Sequence, residues 1–358
     1  MNGTLLRRRF LAGVAVAALA LAGCGGGDDD SGSGSTGADD KYSGLSGSLK
    51  ATGASFPDAY YQEVISAFKD VAPDLTITYN ATGSGTGKKD FGSNLNDFAG
   101  TDSLVKDTDG PAAGSFLYVP TVAAPITVSY NLSGVDKLQL SPETLAKIFQ
   151  RDIKTWNDPA IAADNSGVTL PNKPITVAHR SDGSGTTSNF TKYLNAAAKD
   201  VWKLGSGDTV KWPTDTQGGE KNTGVATLIK NGDGTIGYVD LSDAKASGLK
   251  FASIKNKEGK FVAPTLDGAK AALAGATVKD DVSYDPLNAA GADSYPITSP
   301  TYLIVRTKYD DAKKAEAVKG FITYLLNDGT KLAEEVNFAA LPDALKTKAL
   351  AQLDKITS

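Results

Sequence analysis

The sequence predicts an α/β fold built from two domains. Segments that alternate apolar and polar residues, typical of strands, are followed by segments whose apolar residues recur at helical spacing. The part of the chain that can form a globular body, roughly 300 residues, is longer than one ordinary domain. Two segments marked by prolines, "YVPTVAAPI" (118–126) and "DSYPITSPT" (293–301), divide this body. We expect both to be links between the domains.

The N-terminus has the features of a lipoprotein signal peptide. Three arginines, Arg7–Arg9, precede an apolar stretch, Phe10–Ala22, which is shorter than the about 20 residues that a membrane-spanning helix needs. The stretch runs into "LAGC", and Cys24 is the only cysteine of the chain. This pattern resembles the bacterial lipobox, in which the cysteine is acylated. We therefore expect residues 1–23 to be removed and Cys24 to be lipidated.

Residues 24–45 predict a flexible tether. The stretch "GGGDDDSGSGSTGADD" (25–40) is rich in Gly, Ser and Asp, and it cannot bury enough apolar surface to offset the entropy lost on ordering. A lipid anchor on such a tether predicts an extracytoplasmic protein that is held at the cell membrane through the anchor only. The arginines also resemble a twin-arginine export signal, so this route and the general secretory route both stay open.

Charge and composition argue against several functions. Without residues 1–23 the chain keeps 34 of its 37 basic residues against 41 acidic ones, a net charge of −7. Such a surface does not favour binding of nucleic acid or anionic lipid. One histidine and one cysteine leave no disulfide framework and no Cys/His zinc cluster. We expect no metal and no cofactor.

The stretch "TGSGTGKK" (82–89) looks like a nucleotide-binding P-loop but lacks two of its residues. The P-loop pattern, G-x-x-x-x-G-K-[ST], would need a glycine and a hydroxyl where the chain has Thr82 and Lys89. What remains is a turn of Gly, Ser and Thr after a predicted strand, where amides and hydroxyls can bind an anion. We expect Lys88 and Lys89 to form a solvated face that adds attraction for an anion.

Two further turns of this composition also precede predicted helices. "ATGASFP" (51–57) leads into an amphipathic helix that Pro73 ends. "RSDGSGTT" (180–187) follows the strand "PITVAH" (174–179) and leads into a second amphipathic helix. Because the first amides of a helix have no partner within it, three such turns together predict an anion-binding site.

Arg180 gives this prediction its chemistry. A planar guanidinium can bind an oxyanion through two parallel hydrogen bonds, and Asp182 can hold it in position. The alternative is a surface ion pair of little energetic consequence. We interpret His179, which precedes the arginine, as a strand residue and not as a base.

These residues resemble the phosphate-binding proteins of bacterial ABC-type phosphate transporters. The likeness covers nearly the whole chain after about residue 48. It includes the family's four phosphate loops in order, here "ATGASFPDAYY", "GSGTGKKDF", "DFAGTDSLV" and "HRSDGSGTTSNFTKYL". Ser55 stands where many members have threonine, which keeps the hydroxyl. Gly85 and Thr86 stand in a stretch that is often S-S-G-G. This departure removes no matched ligand, but the resemblance then does not specify the second loop's backbone hydrogen bonds.

The resemblance implies a two-lobed fold of the type II periplasmic-binding-protein class, with two crossover segments at the hinge. Lobe I would take residues 46–122 and 298–358, and lobe II residues 123–297. Phosphate would be captured between the lobes and delivered to the permease complex of an ABC transporter, and the protein would be a monomer and not an enzyme. The implied phosphate ligands are Ser55, the Phe56 amide, Ser84, Asp102, Arg180, Ser184, the Gly185 amide and Thr186, with Asp182 orienting the arginine.

Asp102 predicts selectivity for phosphate over sulfate. Its reference pKa, about 3.9, predicts an ionised carboxylate, which can only accept hydrogen bonds. Phosphate near neutral pH still has a proton to donate, whereas sulfate has none and would face an unpaired carboxylate.

Two alternatives stay open. The same fold could bind another oxyanion or a phosphorylated small molecule. A phosphatase could use Ser84 or Ser184 as its nucleophile, but a serine nucleophile needs an activating base, and His179 is the only histidine. Several donors without a base favour binding of an anion over cleavage of an ester.

Overall fold

The structure is a computed structural model that describes residues 41–358, which belong to one compact unit. The predicted signal peptide, the lipidation site Cys24 and residues 24–40 of the predicted tether lie outside the described residues. Among the helices of residues 41–358, none has both the length and the hydrophobicity of a membrane span.

Helices and strands alternate along most of the chain, as predicted for an α/β fold. The helices are α1 (Asp58–Val71), α2 (Ser84–Gly92), α3 (Pro142–Phe149), α4 (Pro159–Asp164), α5 (Gly185–Ala197), α6 (Lys221–Asn231), α7 (Leu241–Ala246), α8 (Leu266–Ala274), α9 (Ala312–Asn327), α10 (Thr330–Ala333) and α11 (Asp343–Leu353). The longer strands are β1 (Gly47–Gly53), β2 (Leu75–Ala81), β3 (Phe98–Thr101), β4 (Phe116–Asn131), β6 (Thr176–Arg180), β7 (Gln217–Gly219), β8 (Thr235–Asp240), β10 (Ser253–Lys255) and β14 (Thr298–Arg306). Two-residue strands complete the set: β5 (Gln139–Leu140), β9 (Lys250–Phe251), β11 (Phe261–Val262), β12 (Thr277–Val278), β13 (Tyr284–Asp285) and β15 (Ala339–Ala340).

The main sheet has the strand order β2-β1-β3-β14-β4-β8-β6-β7. At one end, β1 pairs in parallel with β2 and β3, and helices α1, α2 and α9 pack on these strands. At the other end, β6 pairs in parallel with β7 and β8, and helices α5 and α6 pack there. Each end is therefore a group of parallel strands with its own helices, which is the arrangement expected when α/β units form two lobes.

Strands β4 and β14 join the two groups. Residues 116–125 of β4 pair antiparallel with β14, and residues 126–131 pair antiparallel with β8. The two segments that we predicted as links lie mostly in these strands, so the links are extended and paired instead of irregular loops. The register between β4 and β14 shifts between Pro300 and Tyr302. A proline has no N–H to donate to the ladder, which accounts for an irregularity at this place.

The predicted amphipathic segments bury the predicted faces. Helix α1 ends before Pro73 and buries Tyr60, Tyr61, Val64 and Phe68 against the core. In β2, Leu75 and Tyr79 are buried, Ile77 is partly buried and the two threonines between them are exposed. Phe190 and Leu194 of α5 are fully buried. Burying one such side chain stabilises the fold by about 1.5–3 kcal/mol. These contacts fix the helices whose N-termini form the site.

Candidate functional site

The three predicted turns lie where helices α1, α2 and α5 begin. Ala54 N donates to Gly100 O at 2.9 Å, and Gly83 N donates to Gly53 O at 2.8 Å, so the first turn, the second turn and the end of β3 lie side by side. Gly85 N donates to Gly183 O at 2.9 Å, which joins the second turn to the turn before α5. The structure therefore brings together the three turns and the end of β3, which leads to Asp102.

The first turn contributes a free hydroxyl. Ser55 is 8% exposed, and its Oγ is buried and has no hydrogen-bond partner in the structure. Buried hydroxyl groups normally have a partner, so Ser55 Oγ is available to a ligand. The ring of Phe56 is buried against Phe338, with ring centroids 5.7 Å apart, which leaves the main chain of Phe56 as the group that could serve a ligand.

The second turn depends on Gly83. Its φ of 90° lies in the left-handed region, and a Cβ there would come within 2.5 Å of Asp182 Oδ2, so only glycine fits. Ser84 follows as the first residue of α2 and is 1% exposed. Its Oγ accepts a hydrogen bond from Asp102 N at 3.2 Å and lies 3.4 Å from Asp102 Oδ2.

Arg180 is held at the end of β6 by a carboxylate and an amide. Its Nε donates to Asp182 Oδ1 at 2.7 Å, its Nη2 donates to Asp182 Oδ2, and its Nη1 donates to Asn222 Oδ1 at 2.8 Å. Burial by itself raises the pKa of Asp182, but the hydrogen bonds and charge of Arg180 outweigh it and hold that pKa below its ordinary value. Arg180 is 4% exposed, so the surface ion pair that we considered for it is wrong.

Asn222 is a site residue that the sequence analysis missed. It is fully buried near the start of α6, and its Nδ2 donates to Asp240 Oδ2 at 2.7 Å. Burial raises the pKa of Asp240 well above its ordinary value. Asn222 is 42 residues from Arg180, and no short-range motif marks it, so only the fold could reveal the contact.

The start of α5 provides Ser184, Gly185 and Thr186. Ser184 Oγ caps the helix by accepting from Thr187 N at 3.1 Å. Thr186 Oγ1 is buried without a hydrogen-bond partner in the structure. A Cβ on Gly185 would lie 2.5 Å from Ser84 Oγ and 2.7 Å from Asp102 Oδ2. Glycine therefore lets the helix N-terminus approach the other loops closely.

Asp102 is a buried carboxyl group between these loops. It is 2% exposed, and Thr301 Oγ1 donates to its Oδ1 at 2.7 Å. Burial raises its pKa from 3.8 to about 7, although the Thr301 hydrogen bond and the charge of Arg180 oppose the rise, and the nearby Asp208 adds to it. This corrects the expectation of a carboxyl group that is fully ionised at neutral pH, since near pH 7 both forms are populated.

Two predictions about neighbouring residues have different outcomes. His179 lies in β6, stacks on Trp212 and is hydrogen-bonded through Nδ1 to Arg180 O and through Nε2 to Thr216 Oγ1, so its interpretation as a strand residue is confirmed. Lys89 is exposed, but Lys88 is 0% exposed. The predicted solvated face is therefore wrong for Lys88, because this side chain points into the protein and meets two aspartates.

The resulting site offers many donors and little net charge. Helix N-terminal amides, the free hydroxyls of Ser55 and Thr186, and one guanidinium can each donate to a small oxyanion. Within residues 41–358, no cluster of His, Cys, Asp or Glu is placed to hold a metal ion. The arrangement suits binding of an anion through hydrogen bonds.

Comparison with proteins of known sequence identifies the family of this chain. A model of the PBP superfamily domain matches residues 33–329. The phosphate-binding protein PstS 3 of Mycobacterium leprae is 37% identical over 316 residues, covering 84% of this chain and 85% of the relative. The phosphate-binding protein PstS of Methanocaldococcus jannaschii is 36% identical over 315 residues, covering 79% of each.

Solved structures share the fold. A high affinity periplasmic phosphate-binding protein (PfluDING), bound with phosphate, matches with a TM-score of 0.70 and 24% identity over 85% of this chain and 93% of that chain. A putative phosphate ABC transporter substrate-binding protein from Clostridium perfringens, with bound phosphate, matches with a TM-score of 0.62 and 18% identity over 83% and 100%. The predicted two-lobed type II periplasmic-binding fold is confirmed by these matches. The chain therefore belongs to the PBP superfamily and, within it, to the family of the PstS phosphate-binding proteins.

Proposed function

We propose that this protein captures inorganic phosphate between its two lobes and delivers it to an ABC permease for import. The single observation that carries the proposal is that Asp102 and Arg180 are buried close to the N-termini of α2 and α5. The relatives named as phosphate-binding proteins support the choice of ligand. The proposed ligands are Ser55, the Phe56 amide, Ser84, Asp102, Arg180, Ser184, the Gly185 amide and Thr186.

A donor-rich site can bind phosphate despite the negative charge of the protein. An oxyanion that leaves water loses its hydration, and the site replaces it with several donors at once. Arg180 is the one cation among the proposed ligands, and its fork is already fixed by Asp182 and Asn222. Little side-chain entropy is therefore lost when the anion binds.

The raised pKa of Asp102 changes the proposed mechanism of selectivity, but phosphate is still preferred over sulfate. Ionised Asp102 accepts a hydrogen bond from a protonated phosphate oxygen, and protonated Asp102 donates one to an ionised phosphate oxygen. In both states one proton lies in the hydrogen bond between Asp102 and phosphate. Sulfate brings no proton. It can bind well only if Asp102 takes one from water, which becomes costly as the pH rises above the pKa.

The two lobes are proposed to be residues 46–122 with 298–358, and residues 123–297. The hydrogen bond from Gly85 N to Gly183 O at 2.9 Å then crosses the cleft, as does the one from Asn189 Nδ2 to Asp102 O at 2.6 Å. Such contacts belong to a closed form. Phosphate, by touching both lobes, would shift an open and closed equilibrium towards closure, and the permease would bind the closed form.

A binding role fits the serine environment better than catalysis. Ser184 Oγ accepts from a main-chain amide as a helix cap, and both ring nitrogens of His179 are already hydrogen-bonded. A nucleophilic serine needs a base beside it. We therefore assign no catalytic residue, and the proposal extends to an extracytoplasmic monomer that is attached to the membrane through a lipid on Cys24.

The experiment that tests the function is a calorimetric titration of residues 41–358 with phosphate, after bound phosphate has been removed. We expect one-to-one binding that a large excess of sulfate does not displace. Arg180→Ala should abolish most of the affinity, whereas Lys89→Ala, which removes an exposed lysine of α2, should leave it nearly unchanged. Absent binding, or equal competition by sulfate, would refute phosphate as the ligand.

A further inference from the structure

Lys88 is a buried cation that contacts two aspartates. Its side chain is 0% exposed, and its Nζ lies 2.9 Å from Asp109 Oδ2 and 2.9 Å from Asp208 Oδ2. The same Nζ also donates to Ser103 Oγ at 3.2 Å. Removing an ammonium group from water is expensive unless counter-ions and hydrogen bonds replace the water. The two aspartates are therefore required by the burial of this lysine.

The two aspartates lie on opposite sides of the cleft. Lys88 lies on α2, which packs on β1 and β3, and Asp109 belongs to the same proposed lobe. Asp208 lies between α5 and β7, in the other proposed lobe, and its main-chain O accepts from Ser184 N at 2.9 Å. The Lys88–Asp208 ion pair thus connects α2 to the turn that carries Ser184.

The two contacts of Lys88 differ in what happens when the lobes separate. Asp109 is fixed within its own lobe, because its Oδ1 also accepts from Lys106 N at 2.8 Å. Both carboxylate oxygens of Asp208 are buried, and neither has a hydrogen-bond partner in the structure, so its attraction to Lys88 Nζ is one of charge at 2.9 Å. Opening would leave Lys88 paired with Asp109 and return Asp208 to water.

We infer that the Lys88–Asp208 ion pair is a latch that forms when the lobes close and that slows the release of phosphate. The inference rests on the proposed function and its two lobes. In the closed cleft, with water excluded, the pair attracts strongly, whereas in the open form water and salt screen it. Lys88 and Asp208 are therefore positioning residues that act on phosphate by holding Ser184 and its helix against α2.

An exposed pair provides the comparison. Lys270 Nζ and Glu334 Oε1 also join the two proposed lobes, but their side chains are 44% and 56% exposed. Exposed ion pairs contribute little, because water screens the charges and two long side chains must be ordered. Lys270→Gln is thus a matched control, since it removes an ion pair between the lobes without leaving a buried charge.

The test measures phosphate affinity and dissociation rate for Lys88→Met, Asp208→Asn and the double variant. A latch predicts that each single change lowers the affinity by about tenfold or more, through faster dissociation. The double variant should lose less than the two single losses combined, because the two changes remove the same Lys88–Asp208 contact and Asp208 is no longer left as a charge without Lys88. Lys270→Gln should change the affinity by less than about fivefold.

A different pattern of affinities would indicate that Lys88 and Asp208 act on the bound anion only through their separate charges. If the two charges act on the bound anion separately, Asp208→Asn removes a repelling charge and raises the affinity, while Lys88→Met lowers it. Opposite signs, or unchanged dissociation in both variants, would overturn the latch. Should Lys88→Met fail to fold because Asp109 is left unpaired, Asp208→Asn alone decides, since it leaves the Lys88–Asp109 pair in place.

Hydrogen exchange separates the latch from the proposed function. The Gly85 amide is bonded across the cleft to Gly183 O, so its protection reports the closed fraction. Phosphate binding by the unmodified protein tests the function by itself. With or without bound phosphate, Asp208→Asn should reduce the protection of the Gly85 amide. Equal protection in the variant and the unmodified protein would reject the latch.

Discussion

At the scale of single residues, Asp102 is a carboxyl group in an environment that its residue type does not suggest. A carboxyl group beside an anion would ordinarily repel it. Here burial raises the pKa to about 7. Thr301 Oγ1 donates to Oδ1 at 2.7 Å, and Oδ2 has the longer hydrogen bond, from Ser84 Oγ at 3.4 Å. With phosphate as the proposed ligand, Asp102 would distinguish an anion that carries a proton from an anion that carries none.

Asp102→Asn should narrow the difference in affinity between phosphate and sulfate. With Thr301 still donating to the amide oxygen, the new NH2 group takes the place of Oδ2 and can donate to either anion. By analogy with sites that exclude a competitor by leaving a buried polar group unpaired, the lost discrimination could reach several powers of ten. Competition calorimetry measures it. Unchanged discrimination would mean that Asp102 does not select the ligand.

The pH dependence of this discrimination follows from the same carboxyl group. Since the folded pKa of about 7 exceeds the ordinary 3.8, the folded protein holds an extra proton between these values. The stability that this group contributes is fully present below the ordinary value and is lost as the pH rises through about 7. Protonated Asp102 can donate to sulfate, so sulfate should compete better as the pH falls. Titrations about two pH units below and above the pKa test this, and Asp102→Asn should show no such trend.

At the scale of elements, the site is a set of helix N-termini that serve two purposes. Ser184 is both the cap of α5, through Thr187 N at 3.1 Å, and a proposed ligand. Thr265 caps α8 in the same way, since its Oγ1 accepts from Gly268 N at 3.1 Å, and it is not among the proposed ligands. Each of the two hydroxyls accepts from the main-chain amide three residues further on. Comparing the two caps therefore separates the effect of a cap on stability from its effect on ligand binding.

Ser184→Ala and Thr265→Ala should have similar effects on stability but different effects on binding. Each loses one cap hydrogen bond, which costs about 1 kcal/mol. Only Ser184→Ala also removes a proposed phosphate ligand, so its affinity should fall by a further factor of about ten or more. Thermal unfolding without ligand and calorimetry with phosphate provide the two measurements. Equal affinities in the two variants would limit Ser184 to its capping role.

The elements were largely predictable because their signals are local. Helical spacing in α1, alternation in β2 and the Gly/Ser turns can each be recognised within about ten residues. The contacts of Asn222 with Arg180 and of Lys88 with Asp208 could not be predicted, because each joins residues that are brought together only by sheet order. The raised pKa of Asp102 was missed for the same reason, since it depends on burial by several segments.

At the scale of the whole molecule, the proposed function depends on how closely the two lobes meet. Strands β4 and β14 cross between the groups of parallel strands, and the turns that approach each other across the proposed cleft are rich in glycine. A Cβ on Gly183 would lie 3.2 Å from Gly85 Cα. In the proposed capture between two lobes, these contacts belong to the closed form, so residues there can be changed without disturbing either lobe by itself.

Gly185→Ala should prevent full closure while leaving each lobe intact. Its φ is not positive, so alanine fits the backbone, but the added Cβ would lie 2.5 Å from Ser84 Oγ and 2.7 Å from Asp102 Oδ2. Overpacking of this kind costs about 1–3 kcal/mol, which corresponds to an affinity loss of about fivefold to 150-fold. In the proposed open form of the ligand-free protein the methyl group would meet no other loop, so its thermal stability should barely change. Gly44→Ala, where a Cβ meets nothing within 4 Å, is the control and should leave both quantities unchanged. Calorimetry and thermal unfolding decide: full affinity in Gly185→Ala would mean that phosphate binds without bringing α5 against α2, and the two-lobe capture would have to be abandoned.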